Sequence, residues 1–370
     1  MSRIQNKVNN HILMPLQGFM HQEKSGGIVL AISVVVALLL ANSPWAEYYF
    51  HFFEYKAGIA FNGSLYMNYS IHHWINDGLM AMFFFVVGLE LKREFISGEL
   101  SEMRNTILPI CAAIGGMIVP ALIYFLFNNG TPVINGWGIP MATDIAFSLG
   151  ILYLLGNKVP QSVKVFLTTL AIVDDLGAVL VIAFFYTSNI SLTNLGIGCC
   201  FLAVMFVANK MGVKNVLFYA ILGIAGVWTS FLLSGVHATI AAVLSAFLIP
   251  ADSRIPGHVY IARANKLLNR FRAAQPNEFS TLEDEQLEIL GRMRTEVRCA
   301  IPPLQRLEHA MHPLVSFVIM PVFALANAGV SFIDIDFSSL FSTNVAVGVM
   351  FGLLLGKPIG IVGSTMILTK

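Results

Sequence analysis

Apolar windows of 16 to 27 residues recur along the whole chain, separated by polar stretches that are mostly short. A helix needs roughly 20 residues to cross a hydrocarbon core of about 30 Å, so each window is a candidate span. Ten can be placed, at 26–44, 74–91, 106–127, 138–155, 160–186, 193–209, 215–232, 235–250, 312–330 and 344–369. The pattern predicts an all-α polytopic membrane protein with about ten transmembrane helices. Residues 1–25 form a leader, 26–250 carry spans one to eight, 251–311 form one long connection, and 312–370 carry spans nine and ten.

Two stretches outside the spans have a pattern of their own. Ile59, Phe61, Leu65 and Tyr66 flank Asn62-Gly63-Ser64, and Asn-Gly between alternating residues predicts a β-hairpin near 58–67. A two-stranded ribbon is marginal alone, so it is expected to pair with another chain, as in a homodimer, or to pack on the outer surface. The connection is basic and amphipathic around Lys266 to Arg272. Ser280 and Glu283 then stand at capping-box spacing before an acidic helical stretch. It is expected to be a helical pair that is solvated or lies on the membrane surface, with a regulatory domain as the alternative.

Composition agrees with a membrane setting: 56% of the 370 residues are hydrophobic and 12% charged, about half the charge of a soluble domain. Net charge is +1, which gives no reason to expect a nucleic-acid partner. The placement of the basic residues is more informative. Taking the segments outside the spans in order, and counting Lys164 at the start of span five with the segment before it, alternate segments beginning with the leader hold twenty Lys and Arg, and the others hold only Lys56. Basic residues accumulate in cytoplasmic loops, so both termini are expected inside. The first span lacks a cleavable leader pattern and is expected to be retained. The four cysteines have no zinc-site spacing, and no disulfide is expected.

A few charges sit where lipid should exclude them. Asp174 and Asp175 lie at the midpoint of span five, Asp144 just outward of the midpoint of span four, and Lys357 at the midpoint of span ten. A carboxylate at mid-bilayer costs on the order of 2.5–3.5 kcal/mol on insertion scales, so such groups normally face a polar interior. Neighbouring helical residues point about 100° apart, so Asp174 and Asp175 must divide their work. One faces a cavity while the other turns to a partner, and Lys357 has the sign and depth to be that partner. A buried ion-pair network that merely holds helices together is the alternative. Three acids against one base leave excess negative charge, which invites a cation.

Span four adds backbone to this constellation. Gly138 and Pro140 precede Thr143-Asp144, and proline withdraws a helix donor, so a broken helix is expected there. Carboxylates, a hydroxyl and freed carbonyls are hard ligands, suited to sodium, lithium or a proton rather than zinc or copper. Oxygens that hold either protons or a metal ion already provide exchange by mutually exclusive occupancy.

At these residues the chain resembles the NhaA family of sodium/proton antiporters, through Ala142-Thr143-Asp144-Ile145-Ala146-Phe147 and Ala171-Ile172-Val173-Asp174-Asp175-Leu176-Gly177-Ala178. Further similar stretches begin at Trp74, Val87, Ser234, Arg306, Phe323 and Leu355. The resemblance implies a secondary transporter of a bacterial inner membrane, without a cofactor. It would export sodium or lithium in exchange for two protons by alternating access, serving pH and sodium homeostasis. Asp175 would be the main ion-binding carboxylate, Asp174 would pair with Lys357, and Thr143 and Asp144 would occupy the broken helix. Asp77, Glu90, Glu94, His237, Glu308, His309 and, more loosely, His312 match positions tied to pH response or the inner funnel.

The resemblance also implies an inverted-repeat fold that here lacks its last two spans, because the family continues beyond the helix of Lys357. A truncated, inactive antiporter is therefore one rival reading. An intramembrane aspartyl protease would use paired acids too, but expects a Gly-x-Gly-Asp element that this sequence lacks. A retinal protein with Lys357 as Schiff base would have seven spans rather than ten.

Overall fold

The computed structural model describes residues 23–61, 64–101, 103–141, 159–186, 190–274, 281–332 and 343–369. Helices α1 (Glu23–Ala41) and α2 (Ala46–Glu54) lead into an antiparallel ribbon of β1 (Lys56–Phe61) and β2 (Ser64–Ser70). There follow α3 (Ile71–Ser97), α4 (Met103–Asn128), a 3-10 segment (Ile134–Met141) and α5 (Gln161–Phe185). Next come α6 (Leu192–Lys210), α7 (Val216–Ser234), α8 (Ala238–Phe247), α9 (Gly257–Ala273) and α10 (Asp284–Ala300). The described chain closes with α11 (Pro303–Asn327) and α12 (Asn344–Thr369).

Among the described residues six helices are long and apolar enough to cross a membrane: α3, α4, α6, α7, α11 and α12. The pair α1 and α2, bent by 112°, raises this to seven at most. The described residues thus account for six or seven of the expected ten spans. Window eight falls short: Gly235 takes a left-handed φ of 82° and ends α7, so α8 has only ten residues. At 1.5 Å per residue α8 is about 15 Å long, half a hydrocarbon core. Window four falls largely on residues 142–158, outside the described residues.

The outward surfaces suit lipid. Leu39 is 66% exposed, Phe184 78% and Ile367 78%, a distribution that would form large apolar patches in water. Inside, one core joins Leu89 of α3, Met205 of α6, Tyr219, Val227 and Phe231 of α7, Ala241 and Ala246 of α8, and Leu304 of α11. A second joins Ala37 and Ala41 of α1 to Tyr49 and Phe53 of α2 and Ile75 of α3. Apart from both, α4 packs against both α5 and α12.

In the connection α9 and α10 pack together, joined by Arg263 and Glu296 at 3.2 Å. The capping box lies three residues later than the sequence spacing indicated. Glu283 is the N-cap of α10, and Gln286 returns a bond to its backbone N–H at 3.3 Å. Both pairings of the box are present, and Gln286 is buried, which spacing alone does not reveal. Ser280 lies outside the described residues.

Candidate ion-binding site

Helix α5 carries Asp174 and Asp175 through an otherwise apolar segment. Asp174 is 2% exposed and Asp175 is half-buried, one residue and about 100° further round the helix. Gly177, one turn below Asp174, lets Met117 of α4 approach so closely that a Cβ would collide with its sulfur.

Lys357 comes from α12, which also packs on α4. Its ammonium lies 2.8 Å from Asp174 Oδ2, with the lysine side chain 11% exposed, and it also donates to the Met141 carbonyl at 2.5 Å. Its own backbone explains its placement. Pro358 has no N–H to give the helix, and the turn before it, Gly352–Gly356, is π-wound, so the Lys357 N–H reaches back five residues to the Gly352 carbonyl. One ammonium thus ties α5, α12 and the end of the 3-10 segment together.

The 3-10 segment is itself fixed from two sides. Tyr124 of α4 donates to the Val133 carbonyl at 2.8 Å, while Tyr186 donates to the Asn135 carbonyl at 2.5 Å and accepts from the Gly138 N–H at 2.9 Å. Met141 is the last described residue of this segment. Thr143 and Asp144 lie outside the described residues.

A second set of charged groups gathers where α3 meets α11. Arg93 Nη1 lies 2.6 Å from Glu308 Oε1, and Arg93 Nη2 3.0 Å from Glu94 Oε1. Glu308 is 5% exposed, and its other oxygen is buried with no hydrogen-bond partner among the described residues. Glu90 is half-buried one turn before Glu94, and His309 and His312 are exposed on α11. His237, half-buried, stands immediately before α8 and gives it no side-chain cap. Asp77 is elsewhere: it meets His73 at 3.2 Å near the β-ribbon, about 24 Å along α3 from Arg93.

Two features went unread in the sequence. Gly348, Gly352, Gly356 and Gly360 recur every fourth residue and form the face of α12 that lies on α4. A Cβ at Gly356 would meet Pro120 Cα at 2.9 Å, and one at Gly352 would meet Pro140 Cβ at 2.8 Å. That spacing is the small-residue signal for close helix contact in membranes. The other is Lys92, whose ammonium donates to the carbonyls of Phe247, at 2.8 Å, and Ile249, closing the end of α8. No motif announces it.

The Na+/H+ antiporter 1 family model matches residues 17–370. The chain is 48% identical over 360 residues to the Na(+)/H(+) antiporter NhaA of Oleidesulfovibrio alaskensis, covering 97% of this chain and 79% of that protein. It is 47% identical to Na(+)/H(+) antiporter NhaA 2 of Syntrophotalea carbinolica, over 94% of this chain and 79% of the relative. It is 45% identical to the Na(+)/H(+) antiporter NhaA of Wolinella succinogenes, over 98% and 79%.

Proposed function

The chain belongs to the Na+/H+ antiporter 1 family, and from that membership we propose that it is a secondary active transporter exchanging sodium for protons at Asp174, Asp175 and Lys357. The observation that carries the site assignment is the buried Lys357–Asp174 pair beside the half-buried Asp175. A sodium ion or protons compete for the carboxylates, and Lys357 supplies the positive charge to Asp174 when neither is bound. Thr143 and Asp144 would add a hydroxyl and a third carboxylate from the segment after Met141. The same hard oxygens suit lithium.

Each cycle brings two protons in and takes one sodium out, so one net positive charge moves inward. That charge is driven by about 2.3 kcal/mol per 100 mV of membrane potential. Access alternates between the two sides, so each side meets the carboxylates in turn. The protein sits in a bacterial inner membrane with its N-terminus inside, as the distribution of Lys and Arg supports. The β-ribbon is the proposed contact of a homodimer. The Arg93, Glu94 and Glu308 cluster, with Glu90, His237, His309, His312 and Asp77, is the proposed pH-responsive apparatus.

Proteoliposomes with a pre-formed pH gradient test the assignment. Adding sodium dissipates the gradient in the parent protein, and Asp175→Ala abolishes the response while the protein still elutes as a folded species. An undiminished response in Asp175→Ala would remove the site. A rate insensitive to an imposed potential would remove the two-for-one stoichiometry.

A further inference from the structure

Away from the ion site, four cationic side chains converge on one recess of about 550 Å³. Lys214 enters from the turn before α7, Arg254 from the start of the connection, Arg298 from the end of α10 and Arg306 from the beginning of α11. Cys299 and Leu217 also line it, and no carboxylate does among the described residues. Elsewhere on the same helical pair two basic residues are matched by acids: Arg263 pairs with Glu296 and Arg292 with Glu288. None of the four in the recess forms a salt bridge among the described residues.

The walls are held by bonds that leave the cationic array in place. Lys214 donates to the Ser253 carbonyl at 2.6 Å, Arg254 Nη2 to the Lys214 carbonyl at 3.0 Å, and the Arg254 N–H to the Cys299 carbonyl at 2.9 Å. Four like charges fixed around a cavity repel one another, and a counter-anion of more than one charge relieves several of these repulsions at once. A carboxylate would neutralise only one. Guanidinium groups match the oxygen geometry of phosphate and bind it through paired donors.

We infer that this recess is a binding site for a phosphate group, carried by a soluble phosphate anion or by the headgroup of an anionic lipid. Either source is compatible with the surroundings, because Leu217, 65% exposed, begins the apolar flank of α7 beside the cations. Occupancy fastens α10 to the turn before α7 and to α11, two residues before Glu308, and so joins the connection to the helices that carry the Arg93 cluster.

Cys299 provides the readout, since it lines the recess and is partly exposed. In the full chain with Cys111, Cys199 and Cys200 changed to serine, maleimide labelling of Cys299 is timed in two settings. Detergent-solubilised protein is titrated with inorganic phosphate and pyrophosphate against chloride at matched ionic strength. In parallel, and in phosphate-free buffer, nanodiscs of zwitterionic phosphatidylcholine alone are compared with nanodiscs that also contain anionic phosphatidylglycerol. A bound phosphate slows labelling about tenfold at ten times its dissociation constant, by mass action. Protection in the first setting identifies the soluble source, protection in the second the lipid source, and Arg298→Gln relieves either. Labelling that ignores all three phosphates, that chloride slows equally, or that Arg298→Gln leaves equally protected overturns the inference.

Discussion

Gly115 and Gly360 bring two helix backbones into direct contact: a Cβ on Gly115 would lie 2.5 Å from the Gly360 carbonyl oxygen. No side chain separates α4 from α12 at that level, and Lys357 sits one turn away on the same helix. The depth and direction of the ammonium therefore depend on a contact that only glycine permits.

Gly360→Leu should push α12 off α4 and draw Lys357 from Asp174. Overpacking of this kind costs about 1–3 kcal/mol or more. The expected outcome is a lower thermal midpoint for the solubilised protein and a loss of transport. Gly363→Ala, with nothing within 4 Å of the added carbon, should leave both unchanged. Equal effects from the two substitutions would mean that the helix contact does not position the site.

Removing Lys357 alone leaves Asp174 buried without its ammonium, and breaking a buried pair costs about 3–5 kcal/mol where the remaining charge cannot neutralise. A carboxylate can take up a proton, so the loss in Lys357→Met should fall below that range. Lys357→Met with Asp174→Leu removes both charges and should recover much of the stability without recovering transport. Thermal melts and sodium flux on the three proteins give the comparison. A double variant no more stable than Lys357→Met would show that the pair contributes little to the fold.

Lys92 should behave as a structural residue. Its ammonium satisfies carbonyls at the end of α8, and leaving such groups unmade costs about 1–3 kcal/mol. Lys92→Met should lower the thermal midpoint while the sodium concentration for half-maximal exchange stays the same. A change in that concentration with an unaltered midpoint would place Lys92 in the ion pathway instead.

What could be read from the sequence follows from how expensive each feature is. Asp174, Asp175 and Lys357 stand out because charge in an apolar helix demands a reason, and the pairing of Asp174 with Lys357 follows from sign and depth. Features made of cheap residues do not stand out. The glycines of α12 resemble ordinary membrane-helix glycines until α4 is seen against them. The shortness of α8 depends on a left-handed Gly235 that hydropathy cannot register. In the connection, Ser280 and Glu283 have the right spacing, but Glu283 and Gln286 have it too, and that pair is the one that caps α10. Window eight is read as a full span for the same reason, because an apolar window records composition and not where the backbone turns.

The Arg93–Glu308 pair tests whether the charged cluster between α3 and α11 senses pH or only holds helices together. Glu308 is buried and bonded to Arg93 through one oxygen, so a carboxylate and an amide at this position differ mainly in charge. If the cluster is structural, Glu308→Gln changes stability and leaves the shape of the pH–rate curve as it was. If it responds to pH, the amide has lost the ability to ionise, and activation with pH becomes shallower while the maximal rate is retained. Arg93→Gln leaves Glu308 without its cation and should be the less stable single variant. Combining the two should expose a coupling of about 0.5–3 kcal/mol, as expected for residues in contact. The pH–rate curve decides the matter, because additivity in stability would only show that the bond is weak. An unchanged slope in Glu308→Gln would exclude this carboxylate from the pH response, whatever its effect on folding.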